Sequence, residues 1–257
     1  MGTELDARGV DTHNALWSAR ALTTAPDVVR EVHSDYLDAG ARVITTNTYQ
    51  ATLPALIHSG EDASGAKRVI AAGARLAKEA ARQFGKGRPE EPVLVAGGLG
   101  PYGAYLADGS EYTGTYGIDI LEDPGFQEVH LPRIEVLVGE GIDLFALETL
   151  PRLDEAQALA SMVKDLAPQA QCWVSFQVRP DGATLADGTP LAEAAAWAVT
   201  RVSSFLSSSG RKETLSEETQ VSSVPASVPT KPSSASPRPS AVRWMCVRRT
   251  AETSSRG

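Results

Sequence analysis

One carboxylate in this chain stands where a short apolar run ends. Glu148 closes Leu144-Phe145-Ala146-Leu147 and is followed by Thr149-Leu150-Pro151, after a helix-ending Gly139-Glu140-Gly141. An apolar run bounded by turn signals reads as a strand buried on both faces. Ligands of parallel sheets sit beyond the carboxyl ends of the strands, so an acid there reads as a group that binds or orients a ligand. The competing reading makes Glu148 a cap for the helix starting near Leu153, and both stay open.

Other reactive side chains are sparse. Cys172 and Cys246 make no disulfide framework and cannot by themselves complete a structural zinc site; Cys172 falls mid-strand and reads as core. His13, His33 and His58 have no ligand spacing, and His130 and Arg133, early in a helix, read as structural. Trp17 and Trp173 read as packing residues. The Gly-rich turn Gly98-Leu99-Gly100-Pro101-Tyr102-Gly103 could cradle phosphate. With no helix expected directly after it and no Gly-Lys-Ser/Thr, nucleotide binding is a minor reading.

The elements needed to position Glu148 follow from periodicity. Residues 26–39 carry Val28, Val29, Val32, Tyr36 and Leu37 at helical spacing, with Pro26 in the first turn and Gly40 as the stop. Residues 41–47 are β-branched and read as a strand, with Thr48-Tyr49-Gln50 at its exit. Helices are expected at 63–84, 126–139, 151–166 and 190–199, and strands at 92–97, 141–151 and 172–178. Strand alternating with helix gives the α/β class with a parallel sheet, and long loops at strand exits favour a (β/α)₈ TIM barrel. Only four strands are clear, with a possible fifth near the N-terminus, so the barrel is expected to be incomplete.

Composition divides the chain in two, 1–200 as a folded domain and 201–257 as a low-complexity, disordered tail. Up to Thr200 there are 28 acidic and 15 basic residues, and beyond it 4 and 9. The acidic body argues against nucleic-acid binding. The basic tail, rich in Ser and Pro, reads as solvated and disordered. No apolar run is long enough to span a membrane, and the N-terminus lacks the features of a signal peptide, so a cytoplasmic location is expected. The abrupt change near Thr200 reads as a shifted reading frame or altered splice.

Several stretches, in order, resemble the homocysteine S-methyltransferase family, in particular the branch using S-methylmethionine or S-adenosylmethionine. They are Met1-Gly2-Thr3-Glu4-Leu5, Leu16-Trp17-Ser18-Ala19, Asp35-Tyr36 with Ala39-Gly40-Ala41, Thr45-Thr46-Asn47-Thr48-Tyr49-Gln50-Ala51, Gly100-Pro101-Tyr102-Gly103-Ala104 with Asp108-Gly109-Ser110-Glu111-Tyr112, His130 with Arg133, and Glu148-Thr149-Leu150-Pro151. The resemblance implies a TIM barrel in which zinc holds the homocysteine sulfur as a thiolate. That thiolate takes a methyl group from a sulfonium donor and gives methionine. It also implies that Glu148 binds the homocysteine ammonium, that Asn47 and Tyr49 line the pocket, with a structural role open for each, and that Gly2 and Thr3 form a turn approaching the amino acid.

Two departures bear on activity. The family has a strand ending Leu-Asp-Gly-Gly just before the segment matched by Met1, so most of a first strand is expected to be missing. Its three zinc cysteines lie in Gly-x-Asn-Cys and Gly-Gly-Cys-Cys, neither of which occurs here. A catalytic zinc needs three protein ligands, so no metal ligand and no catalytic residue is assigned, and impaired methyl transfer is expected. The alternative is a non-catalytic amino-acid-binding or regulatory protein with an interaction tail; less favoured is a barrel enzyme of unrelated chemistry. The choice of methyl donor and the oligomeric state are left open.

Overall fold

The computed structural model describes residues 1–117, 123–202, 220–225 and 243–248, with side chains through residue 199. Its helices are Gly2–Ala7 (α1), Ala21–Thr24 (α2), Pro26–Asp38 (α3), Leu53–His58 (α4), Ala63–Phe84 (α5), Tyr102–Leu106 (α6), Pro124–Gly139 (α7), Leu153–Leu166 (α8) and Leu191–Val202 (α9). The strands are Val43–Thr45 (β1), Leu94–Leu99 (β2), Leu144–Leu150 (β3), Gln171–Val178 (β4), Gln220–Pro225 (β5) and Arg243–Arg248 (β6). Single 3₁₀ turns occupy Trp17–Arg20 and Ser110–Tyr112.

The first four strands pair in chain order, all parallel. Each crossover is helical, as parallel pairing requires. The expected α/β fold with a parallel sheet is thus present, and every helix expected from spacing appears within a few residues. The sheet continues from β4 through β6 to β5, both pairings antiparallel. These two strands are the described part of the Ser/Pro-rich tail; the remainder lies outside the described residues.

Alternation along β3 separates two environments. Phe145 and Leu147 join the main core with α7 and α8 residues such as Leu137 and Leu159. Leu144 and Ala146 face the other way, where Ala96 of β2 and Trp173 of β4 complete a small inner cluster. On this inner face Val43 and Leu94 remain 42% and 45% exposed. Helices therefore cover one side of the sheet, and the other side carries Ala96, Leu144, Ala146 and Trp173.

Three local expectations need correction. The possible N-terminal strand is absent from the described residues: Gly2 and Thr3 open α1, where Met1 accepts from the Glu4 and Leu5 amides at 3.0 Å, instead of forming a turn. Leu5 is buried beneath them, and that apolar anchor selects the helix. α4 was not anticipated; Thr52 caps it by accepting from Ala55 N–H at 3.3 Å. A helix, α6, does begin directly after the Gly-rich turn of β2. Its Tyr102 N–H is taken by Glu155 Oε1 at 2.5 Å, which removes the donor a phosphate would use.

α5 matches its expected limits. Asp62 caps it by accepting from Gly65 N–H at 2.5 Å, and its buried face is mostly Ala and Gly. Small residues let this helix lie close to the exit of β1: a Cβ at Gly73 would meet Thr48 Cγ2 at 2.7 Å. Gly73→Val should lower stability by about 1–3 kcal/mol through overpacking. Gly139→Ala, with open space around the added methyl, should leave stability unchanged or slightly raised. Paired thermal unfolding curves check both.

Candidate functional site

Arg133 fixes where the strand exits stand. It is fully buried on α7, and its guanidinium donates to the carbonyls of Thr48 at 3.2 Å, Tyr49 at 2.6 Å and Gly100 at 2.9 Å. One cation therefore ties the exit of β1 to that of β2. The two exits touch: a Cβ at Gly100 would lie 2.6 Å from Tyr49 O, which explains the glycine.

The same guanidinium reaches His130 Nδ1 at 2.8 Å. An arginine can only donate, so Nδ1 accepts and the neutral ring carries its proton on Nε2. That nitrogen lies 3.5 Å from Glu155 Oε1. Burial, then the Arg133 charge, hold His130 well below the ordinary imidazole range. Glu155, buried in the first turn of α8, is pushed up to about 7 by desolvation, with the Tyr116 hydroxyl against it. His130 and Arg133 are structural, as their positions suggested, and they link the exits of β1 and β2 to the first turn of α8.

Above this base lies a cavity of about 480 Å³, lined by Gly2, Asn47, Tyr49 and Glu148 among others. Four of the five residues assigned to substrate binding are thus brought to one space. Thr3 is not among its lining residues; it is exposed on α1. Asn47 is buried and both polar atoms of its amide meet Ser18: Oδ1 accepts from Ser18 Oγ at 2.8 Å and Nδ2 donates to Ser18 O at 2.7 Å. It anchors the segment bearing Trp17. Tyr49 stands beside Thr149, and burial pushes its phenol above the ordinary range.

Glu148 keeps some solvent contact through the cavity, yet protein surrounds it closely enough that desolvation pushes its carboxyl up to about 7. The Met1 amino group and a hydrogen bond from Trp173 act in the opposite direction. Glu148 is no helix cap: α8 starts five residues later at Leu153, and no side chain caps it. The following residue, Thr149, has φ of 65°. For a β-branched residue this left-handed backbone is rare and costs of order 1–3 kcal/mol, a cost typical of functional sites.

Of the two tryptophans expected to pack, Trp173 does so and Trp17 does not. Trp17 lines the cavity while 49% exposed, with φ of 49°. Trp173 joins the inner cluster and stands beside Glu148. Tyr36 and Tyr112 also line the cavity, and neither was singled out as a site residue. Tyr112 lies in the Asp108-Gly109-Ser110-Glu111-Tyr112 stretch, whose length as a loop was the available signal.

Among the described residues no group of three or more His, Cys, Asp or Glu could hold a metal ion. Cys172 is buried and desolvation pushes its thiol up to about 11, the reverse of what a metal-binding thiolate needs. No described helix is long and apolar enough to cross a membrane.

Residues 1–208 match the homocysteine S-methyltransferase family. The chain is 44% identical to homocysteine S-methyltransferase of Escherichia coli (strain K12) over 197 residues, covering 76% of this chain and 62% of that protein. It is 42% identical to homocysteine S-methyltransferase 4 of Zea mays over 204 residues, covering 76% and 58%. The metallated form of the Escherichia coli homocysteine methyltransferase MmuM superposes with a TM-score of 0.71 at 42% identity, over 78% of this chain and 68% of that one. The chain thus spans about three-fifths of the length of these curated relatives.

Two substitutions test this geometry. Arg133→Met should destabilise by about 3 kcal/mol or more, because three carbonyls lose their buried donor; denaturant unfolding measures it. Glu148 bears on stability with a definite sign. Its folded value, about 7, lies above its ordinary value of 4.5, so the folded state favours the protonated form. That contribution is present below 4.5 and is lost as pH rises through 7. The stability of wild type relative to Glu148→Gln should therefore fall across that window, as unfolding at several pH values will show.

Proposed function

The chain belongs to the homocysteine S-methyltransferase family, and we propose that its cavity binds homocysteine with the α-ammonium against Glu148. The observation that carries this reading is the half-buried Glu148 carboxylate at a strand exit, in a cavity large enough for an amino acid. An ammonium supplies the charge that stabilises the ionised carboxylate there, and the pair gives affinity and orientation together.

The chemistry is methyl transfer from S-methylmethionine or S-adenosylmethionine. The homocysteine sulfur attacks the methyl carbon, the bond from that carbon to the sulfonium sulfur breaks, and its electron pair stays on the donor sulfur. The thiol proton leaves to solvent, and methionine forms. In-line positioning of sulfur and methyl supplies much of the rate. Zinc, in the family, supplies thiolate at neutral pH. The donor set here does not fit it: two cysteines cannot provide three thiolates, and Cys172 is protonated in the core. We therefore assign amino-acid binding to this chain, with methyl transfer impaired. Binding without turnover is also what the second reading, an amino-acid-binding or regulatory protein, requires.

Calorimetry with L-homocysteine, zinc analysis and a methionine-formation assay on the same preparation test this. Binding should strengthen as pH rises through about 7, because the carboxylate must be ionised to hold the ammonium. Glu148→Gln should weaken it about 10- to 100-fold and flatten the profile. Zinc should be well below one equivalent. Stoichiometric zinc with rapid methionine formation would contradict the impairment; absence of homocysteine binding would contradict the function.

A further inference from the structure

β3 contains one residue more than its partner strand allows for. Leu147 pairs with Val174, and the next pairing is Leu150 with Phe176, so β3 advances three residues while β4 advances two. Glu148 and Thr149 together oppose Ser175, which defines a β-bulge. The bulge changes the phase of the strand. Leu147 and Leu150, three apart, both join the helix-facing core, whereas strict alternation would turn one of them inward. Glu148 can therefore face the cavity while the chain buries Leu150 and enters α8.

A bulge leaves a backbone amide outside the ladder. Here that amide is Thr149 N–H, and Ser175 Oγ accepts it at 3.2 Å. Two further groups stand in the same neighbourhood: Tyr49 beside Thr149, and Trp173, two residues before Ser175 on β4, beside the Glu148 carboxylate. We propose that Ser175 is a positioning residue for the amino-acid site, its hydroxyl fixing the left-handed backbone at Thr149 and thereby the direction of the Glu148 carboxylate. Ser175 acts through Glu148, so its consequence for binding rests on the ammonium reading given above.

The test uses the whole chain labelled with ¹³C at the glutamate carboxyls, in wild type, Ser175→Ala and Ser175→Thr. Glu148 is assigned by its loss in Glu148→Gln, and L-homocysteine affinity and unfolding temperature are measured on each sample. In Ser175→Ala the carboxyl should titrate at lower pH than in wild type as it turns toward solvent, and affinity should fall about fivefold. Ser175→Thr keeps the hydroxyl and should restore both. A Ser175→Ala protein with a lower unfolding temperature but wild-type titration and affinity would overturn the proposal, since the hydroxyl would then be merely structural. If wild type binds no homocysteine, the ammonium reading fails by itself, and the carboxyl titration still decides whether Ser175 sets the direction of Glu148.

Discussion

A carboxylate turned into a cavity at the end of a buried strand is costly, and the fold is arranged to hold it there. Desolvation raises the Glu148 carboxyl to about 7, and the residue after it sits in a backbone conformation that threonine rarely takes. Neither would persist in a loosely held chain. The extra residue in β3, the Ser175 hydroxyl and the Trp173 indole restrain Glu148 from the β4 side. From beneath, Arg133 binds the carbonyls at the exits of β1 and β2. A single buried guanidinium with four acceptors carries its charge inside the protein because those acceptors replace water.

The binding layer and the supporting layer meet at Tyr49. Its carbonyl accepts from Arg133, while its side chain lines the cavity beside Thr149. Movement at the base would therefore reach the bulge through one residue. Asn47 transmits the same order outward through two hydrogen bonds to Ser18. Trp17 is thereby kept at the cavity although half of its surface is exposed. A single small space is thus shaped by six separate segments of the chain.

Much of this was legible in the residues. The alternation of apolar runs and amphipathic stretches gave β1 to β4 and the long helices, because each must bury one face or both. The position of Glu148 at a strand end was enough to single it out. What stayed hidden was decided by tertiary contact. The bulge at Glu148 and Thr149 depends on the register of β4, which no local pattern records, and Trp173, legible as packing, also stands beside Glu148 on the neighbouring strand. The helix at Gly2–Ala7 was obscured by its match to a family turn, and Leu5, buried under α3, decided it.

The family relation and the donor set point in different directions for catalysis, and the proposed amino-acid pocket does not depend on the zinc ligands. The central claim is that the Glu148 carboxylate recognises an α-ammonium, and it is tested most directly by comparing L-homocysteine with its des-amino analogue, 4-mercaptobutyrate, on wild type and Glu148→Gln by calorimetry. The account requires wild type to favour homocysteine by about tenfold or more and the variant to lose that preference. Equal affinity of the two ligands for wild type, or a preference that survives in Glu148→Gln, would contradict it.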